Sequence, residues 1–358
     1  MPAIPGRPLF IGVEGPALTI DEKKFIRRSQ PGGFILFARN IETPEQTNEL
    51  LRSLQALVKE PCFLSIDQEG GRVDRLKQIL PPMPSMFKTA LAGIGAVQRH
   101  ASVTARALRL LGFNMNFAPV LDLMSPFRNG IEDRAFSCAP VEVAAMGTVY
   151  LRTALKAGVP GTLKHFPGLG RGECDSHLDL PFIPIKRSNL ILEDLHPFRK
   201  NLRHSPFVMV AHAFYPDFEE NDDRPVPASL SRNIVTRLLR KDLGFDGVAL
   251  TDDLLMGALR GFGDLPLISQ LAFQAGNDML LLCRGLEACE QVYKVLARKK
   301  TMVQAKRQEQ AYRRIARVKK NLALKPTVAD LDRAALDGIA AEMQRFSDEV
   351  AGRDASAG

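Results

Sequence analysis

Short apolar runs that alternate with longer helix-like stretches constrain the fold of this chain more than any other feature. Eight runs rich in apolar and β-branched residues occur along the sequence. They are Leu9–Val13, Gly33–Phe37, Phe63–Ile66, Asn114–Ala118, Gly161–Lys164, Phe207–Ala211, Gly247–Thr251 and Asp278–Leu282. Runs of this length and composition are typical of buried strands.

Helix-like patterns separate these runs, for example Thr43–Val58, Ala96–Leu111, Val141–Ala157 and Asn233–Leu239. Parallel strands require crossover connections, which are usually helices. The sequence therefore predicts an α/β fold, a single-domain (β/α)8 barrel of the TIM type. Its core should span residues 8–330. Residues 326–348 should form one or two closing helices, and residues 350–358 a frayed tail.

Composition excludes several classes of protein. The chain is 45% hydrophobic and 25% charged, which favours a globular protein over a disordered one. We find neither an apolar run long enough for a membrane helix nor a signal-peptide pattern at the N-terminus. The five cysteines form no CxxC pair, so a disulfide framework is not expected. These features predict a cytoplasmic protein, with a monomer favoured.

The formal net charge of +8 is concentrated near the C-terminus. Residues 298–325 hold eleven Lys or Arg and one acid, Glu309. Such a segment can bind nucleic acid. Alternatively, it is a solvated helix whose apolar stripe of Ile315, Val318 and Leu322 faces the core. We favour the helix, because no nucleic-acid-binding motif accompanies the charge.

Polar and reactive side chains follow the predicted strands. These are Arg39, Asn40, Asp67 to Glu69, Asp122, His165, His212, Asp252 and Asp253. Barrel enzymes build their active sites at the C-terminal ends of the strands. Loops after strands are also polar for ordinary reasons, but this clustering of reactive types favours an active site.

The densest cluster is the segment from Lys164 to His177, which contains Pro167 and three glycines and should form a loop. Asp175 lies two residues before His177, so its carboxylate can orient the imidazole. A histidine of near-neutral pKa can protonate a leaving group and then activate water. The alternative is a surface histidine beside an aspartate that caps backbone amides.

Two adjacent carboxylates, Asp252 and Asp253, end the seventh predicted strand. On an extended chain they point to opposite faces, so only one can face the barrel opening. That carboxylate can attack an anomeric carbon, whereas a helix N-cap is the equally weighted alternative.

Two further charged loops, 66–75 and 132–137, carry Asp and Arg side chains. These side chains can bind sugar hydroxyls or form structural ion pairs. A zinc site using His165, Asp175, His177 and His212 is disfavoured, because neither HxH nor HExxH occurs.

Taken in order, eight strings resemble glycoside hydrolase family 3, in particular its compact bacterial β-N-acetylglucosaminidases. The resemblance covers about residues 8–330. The strings are FILFARN (34–40), IDQEGGRVDRL (66–76), NFAPVLDL (116–123), EDRAFS (132–137), KHFPGLG with DSH (164–177), VMVAH (208–212), GVALTDDLLMGAL (247–259) and AGNDMLLLC (275–283).

The resemblance implies a role for each matching residue. It implies Asp252 as the nucleophile, His177 as the general acid/base and Asp175 as the partner of His177. The residues implied to bind the terminal N-acetylglucosamine are Asp67, Arg75, Arg134, Lys164 and His165. The implied substrate is a muropeptide fragment, N-acetylglucosamine β-linked to 1,6-anhydro-N-acetylmuramic acid. No cofactor or metal is implied, and the implied pathway is peptidoglycan recycling.

Two positions depart from the family pattern. Leu169 stands where the family usually has a second histidine, which puts the folding of the loop in doubt. Glu132 stands where the family usually has glycine, two residues before Arg134. The alternatives are a β-glucosidase or phosphorylase of the same family and, more distantly, a non-catalytic glycan-binding or nucleic-acid-binding barrel.

Overall fold

All eight predicted strands are present in the computed structural model, which describes residues 5–124, 129–219, 225–298 and 301–356. The strands are β1 (Leu9–Gly12), β2 (Gly33–Leu36), β3 (Phe63–Ile66), β4 (Met115–Asn116), β5 (Leu163–Phe166), β6 (Phe207–Val210), β7 (Val248–Asp253) and β8 (Met279–Leu282). They form one parallel sheet in the order β4-β3-β2-β1-β8-β7-β6-β5. The predicted α/β barrel architecture is therefore confirmed.

Irregular backbone links the two ends of the sheet, β4 and β5. Val120 and Lys164 form an isolated parallel bridge. In addition, the Thr162 amide donates to the Ala118 carbonyl at 2.9 Å, and the Leu121 amide donates to the Lys164 carbonyl at 2.7 Å. The barrel thus closes at a seam between β4 and β5 that lacks a continuous ladder.

Helices surround this sheet. They are α1 (Ile20–Ser29), α2 (Pro44–Leu57), α3 (Met86–Leu91), α4 (Ile94–Leu111), α5 (Pro140–Lys156), α6 (Arg187–Leu192), α7 (His196–Asn201), a π-helix (Asn233–Asp242), α8 (Leu265–Ala275), α9 (Leu286–Ala297), α10 (Met302–Asn321) and α11 (Arg333–Ser356). Local sequence explains their starts. In α2, Pro44 occupies the first turn and the Thr43 hydroxyl accepts from the Gln46 amide at 3.1 Å.

One prediction at the C-terminus is wrong. The expected closing helix is present as a single helix, α11, but it continues to Ser356 instead of fraying from Val350. Val350 is buried and extends a helical stripe that includes Met343 and Phe346. Burial of this apolar face stabilises the last turns of α11. The end of the expected tail, residues 357 and 358, lies outside the described residues.

The strands bury both of their faces. Side chains such as Phe10, Phe63 and Phe207 form the barrel interior, and the rings of Phe63 and Phe207 meet edge to face at 5.0 Å. Neighbouring strand residues, such as Leu9 and Ile11, pack against the surrounding helices. This alternation follows from the two-residue period of a strand.

Most of the basic segment, Met302–Asn321, forms α10, as the helix interpretation predicted, and its residues 299 and 300 lie outside the described residues. Ile315 and Val318 are buried and join the barrel-interior cluster, and Leu322 packs against it. Three arginines from the helix or its neighbourhood, Arg240, Arg307 and Arg314, form ion pairs with the buried Asp278. Part of the positive charge is therefore used inside the fold. Among the described residues, we find no helix with the length and apolarity required to span a membrane.

Candidate active site

A cavity of about 460 Å³ opens at the C-terminal ends of the strands. Its wall contains every predicted site residue: Asp67, Arg75, Arg134, Lys164, His165, Asp175, His177 and Asp252. The predicted residues therefore come together, although they are spread over nearly two hundred positions of the sequence. Met209 and Leu281, which belong to the barrel-interior core, also line the cavity.

Two of the predicted sugar-binding cations form ion pairs with carboxylates in the cavity wall. Lys164 Nζ lies 2.7 Å from Asp67 Oδ1 and 2.5 Å from Glu69 Oε1. Arg134 donates to Glu69 through Nε at 2.8 Å and through Nη2 at 2.9 Å. Burial alone would raise the pKa of Glu69, but Arg134 and Lys164 outweigh it and hold this pKa well below its usual range. The cations are thus fixed in place by structural ion pairs, one of the two interpretations of these loops, and sugar binding by the same cations stays a prediction.

His165 is oriented by Asp122, which lies on the seam between β4 and β5. The His165 Nδ1 atom lies 2.6 Å from Asp122 Oδ2, and the His165 backbone amide donates to the same carboxylate at 3.1 Å. The Leu169 amide donates to Asp122 Oδ1 at 2.7 Å. Asp122 therefore fixes the imidazole, leaving Nε2 available on the ring that lines the cavity.

Asp252 lies in the last part of β7 and faces the cavity beside two imidazoles. Burial would raise the pKa of Asp252, but His165 and His212 favour the carboxylate, as does the Asp253 amide, which donates to Asp252 Oδ1 at 2.8 Å. The pKa of Asp252 is consequently lowered. An ionised carboxylate at this place is suited to nucleophilic attack.

Asp253 occupies a different environment. Its Oδ1 accepts from the Leu255 and Cys283 amides, both at 3.2 Å. Burial raises the pKa of Asp253. Its backbone carbonyl lies 3.1 Å from Nε2 of the buried His212, whose Nδ1 is 2.7 Å from the Ser229 hydroxyl. Asp253 and His212 therefore secure the end of β7, and the two neighbouring aspartates have separate roles.

His177 and Asp175 form the predicted pair on the loop after β5. Asp175 Oδ1 lies 2.7 Å from His177 Nδ1 and accepts from the His177 amide at 2.9 Å. The imidazole is 69% exposed, so Nε2 can meet substrate at the cavity opening. The amides of Gly257 and Ala258, both at 3.2 Å, donate to the carbonyls of His177 and Ser176, which holds the loop against the segment after β7.

The two departures from the family pattern are accommodated locally. Leu169 is buried and lines the cavity, while its amide binds Asp122. Glu132 accepts from Arg72 Nη2 at 2.9 Å and from the Gly130 amide at 3.2 Å. Glu132 therefore ties together the loops that carry Arg72 and Arg134.

Sequence reasoning noticed Glu69 and Asp122 as polar residues after strands but assigned neither to the site. Each contacts an assigned residue directly, Glu69 through Lys164 and Arg134, and Asp122 through His165. Their positions after β3 and β4 were the available signal. Within the described ranges, no group of three or more His, Cys, Asp or Glu side chains is arranged to hold a metal ion.

Comparison with known proteins agrees with this geometry. Residues 11–318 match the glycosyl hydrolase family 3 N terminal domain. The chain is 37% identical over 297 residues to a Beta-hexosaminidase from Alkalilimnicola ehrlichii, covering 81% of this chain and 84% of that one. It is 34% identical to a Beta-hexosaminidase from Pseudomonas aeruginosa, covering 82% and 87% of the two chains.

Two solved structures extend the comparison. NagZ from Neisseria gonorrhoeae, in complex with N-trifluoroacetyl-D-glucosamine, is 28% identical, with a TM-score of 0.80 and coverage of 98% of this chain and 100% of that chain. A family 3 β-N-acetylglucosaminidase from Paenibacillus is 31% identical, with a TM-score of 0.84 and coverage of 96% and 68%. By sequence and by fold, the chain belongs to glycosyl hydrolase family 3 and is a glycoside hydrolase of the β-hexosaminidase type.

Proposed function

We propose that this enzyme is a retaining exo-β-N-acetylglucosaminidase that releases terminal N-acetylglucosamine from muropeptide fragments. The bond cleaved joins the sugar, in β-1,4 linkage, to 1,6-anhydro-N-acetylmuramic acid, and the reaction serves peptidoglycan recycling in the cytoplasm. One observation carries the proposal: Asp252 on β7 and the oriented pair of Asp175 and His177 on the loop after β5 line the same cavity. The N-acylated glucosamine bound by the NagZ neighbour supports the choice of sugar.

In the first step, the Asp252 carboxylate attacks the anomeric carbon while His177 Nε2 protonates the departing glycosidic oxygen. A covalent glycosyl-aspartate forms as the glycosidic bond breaks. In the second step, His177 Nε2 takes a proton from water as the water oxygen attacks the anomeric carbon and Asp252 leaves. Two inversions give net retention. Asp175 holds Nδ1 in both steps and favours the imidazolium that forms in the second.

The terminal sugar would lie in the closed end of the cavity. Lys164 is held there by Asp67 and Glu69, Arg134 is held by Glu69, and His165 is held by Asp122. Fixed donors and acceptors bind sugar hydroxyls and the acetamido group without having to be ordered when substrate binds. A cavity of about 460 Å³ whose lining includes Met209 and Leu281 of the barrel-interior core suits removal of one terminal residue at a time.

The nucleophile can be tested by trapping. A 5-fluoro N-acetylglucosaminyl fluoride should label the enzyme, and peptide mapping should place the label on Asp252. Asp253→Asn provides a matched control, because an amide oxygen can still accept from the Leu255 and Cys283 amides. We expect Asp252→Asn to abolish turnover and labelling, and Asp253→Asn to retain most of both. A label on Asp253 or Asp67 would overturn the assignment.

Aryl glycosides separate the proposal from its alternatives. The β-N-acetylglucosaminide should be cleaved much faster than the β-glucoside, and added phosphate should give no sugar phosphate. A preference for glucose would indicate a β-glucosidase, and formation of a sugar 1-phosphate would indicate a phosphorylase.

A further inference from the structure

We propose that Arg39 and Arg284 form a carboxylate-binding site at the outer edge of the catalytic cavity, which binds the acidic leaving-group portion of the substrate. This inference rests on the proposed function, because it concerns the part of the substrate beyond the scissile bond. Neither arginine was assigned a role from the sequence. The inference assigns both of them a part in substrate selection.

The charge balance of the cavity wall points to this site. In the closed end, Lys164 and Arg134 are neutralised by Asp67 and Glu69. At the opening, Arg39 and Arg284 also line the cavity and are exposed. Within the described part of the chain, neither has a carboxylate oxygen within ion-pair distance. The outer edge therefore carries positive charge that no carboxylate of the described residues neutralises.

Arg39 is fixed in place by neutral groups. Its Nε donates to the Val13 carbonyl at 3.2 Å, its Nη2 donates to the Cys283 carbonyl at 2.5 Å, and its guanidinium lies 4.6 Å from the centre of the Phe37 ring. A Cβ at Gly12 would lie 3.3 Å from Arg39 Nη2 and 2.2 Å from the Cys283 carbonyl oxygen, so the absence of a side chain there makes room for the contact. Arg39 thus keeps its full charge and a set orientation.

The same contact brings the two arginines together. Arg284 directly follows Cys283, whose carbonyl binds Arg39 and whose amide binds Asp253. This segment is therefore attached to the end of β7, which carries the nucleophile Asp252. Two guanidinium groups on adjoining loops can share one carboxylate, and such charge-assisted hydrogen bonds are strong and directional.

The leaving group must lie at this edge. An exo-acting enzyme places the terminal sugar in the closed end, so the rest of the substrate extends through the opening, past the exposed His177. The proposed leaving group, anhydro-N-acetylmuramic acid, carries a carboxylate on its lactyl side chain, and an attached peptide carries others. Inorganic phosphate is another anion that two arginines could bind, and the test includes it.

The test compares two disaccharides with the same glycosidic bond. One is N-acetylglucosaminyl-1,6-anhydro-N-acetylmuramic acid, and the other is its lactyl methylamide. We expect wild-type kcat/KM to be higher for the acid, and the preference to fall as salt is added, because charge attraction is screened. Arg39→Gln should lower kcat/KM for the acid about ten-fold, and Arg284→Gln roughly two- to five-fold. The larger loss is expected at Arg39 because its hydrogen bonds to the Val13 and Cys283 carbonyls hold the guanidinium in place. Both variants should lower kcat/KM for the methylamide much less than for the acid.

Two controls make the result decisive. Arg27→Gln removes an exposed arginine of α1 that does not line the cavity, and it should change neither rate. Arg39→Lys keeps the charge without the paired geometry and should retain part of the preference for the acid.

Equal wild-type rates on acid and methylamide, or equal losses on both in the Gln variants, would overturn this inference. The site would be assigned to phosphate instead if three results came together. Inorganic phosphate would inhibit competitively, both Gln variants would lose this inhibition, and the wild-type enzyme would cleave the acid no faster than the methylamide. Failure to cleave either disaccharide or the aryl N-acetylglucosaminide would overturn the proposed function.

Discussion

Arg134 binds Glu69 through two parallel hydrogen bonds, 2.8 Å from Nε to Oε2 and 2.9 Å from Nη2 to Oε1. Glu69 is almost completely buried and shares its other contacts with Lys164. A residue proposed to hold sugar is therefore also the main partner of a buried charge.

Arg134→Ala should consequently have two effects. The affinity for free N-acetylglucosamine should fall about ten-fold or more through loss of charged hydrogen bonds. The free energy of unfolding should fall by about 3 kcal/mol, because Glu69 loses its bidentate partner. Calorimetric titration and urea denaturation measure the two effects. The double variant Arg134→Met with Glu69→Gln should recover much of the stability but not the affinity. An unchanged affinity in folded Arg134→Ala would leave this arginine a structural role alone.

His177→Ala should slow cleavage most for substrates with poor leaving groups. A dinitrophenolate departs without a proton, whereas the natural disaccharide requires one. We expect cleavage of the disaccharide to fall by several orders of magnitude and the dinitrophenyl glycoside to form the covalent intermediate at a near-normal rate. Azide attacks without deprotonation, so it should restore turnover and give a β-glycosyl azide. Equal losses on both substrates without azide rescue would assign the proton transfer to another group.

Asp175→Asn should show a milder form of that pattern. The amide leaves the imidazole in place but removes the charge that favours its protonated form and can reverse the orientation of Nδ1. The loss should again be larger for the disaccharide than for the activated glycoside. A proportional loss on both substrates would mean that Asp175 only shapes the loop.

His100 makes stability depend on pH. It is fully buried beside the rings of Tyr150 and Phe346, and burial lowers the pKa of His100 to about 4 from an ordinary value of 6.5. Between these values the unfolded chain binds a proton that the folded protein excludes. The free energy of unfolding should therefore fall as pH drops from about 6.5 to about 4, by about 3 kcal/mol from this residue.

His100→Leu should remove this component, so that the difference in stability between wild type and variant changes across the same pH range. Urea denaturation at several pH values measures it. The buried His212, whose pKa is also lowered by burial, leaves some pH dependence in both proteins. Parallel profiles for the two proteins would contradict the buried neutral state of His100.

The fold and most of the site were predictable because the same short apolar runs that build the strands also place polar residues at their ends. Asp67, His165 and Asp252 were noticed in this way. Asp175 and His177 were noticed from their spacing within a loop, and the roles proposed for all five came from the family resemblance. The pairing between carboxylates and cations was not, because it depends on which loops meet across the barrel. Glu69 contacts Lys164 from a loop 95 positions earlier in the sequence, and no local pattern encodes that contact.

Strand ends were also difficult to place. Lys164 was predicted as the last residue of β5, but pairing with β6 carries the strand to Phe166, and the Ala211 amide donates to the Phe166 carbonyl at 2.9 Å. His165 therefore belongs to a strand and not to a loop. Polar residues continue a strand when the neighbouring strand supplies hydrogen-bond partners, which propensity alone does not reveal.

The hydrogen bonds from the Gly257 and Ala258 amides connect the loop of His177 to the segment that follows β7. The segment that receives the acid/base loop is the continuation of the strand that carries Asp252. The proposed acid/base is therefore connected through this segment to the strand of the proposed nucleophile. The residues proposed to bind the sugar lie elsewhere, after β3, on β5 and on the loop of Arg134. We therefore expect substitutions in those parts to alter which sugar is accepted, with less effect on the proposed pair of nucleophile and proton donor.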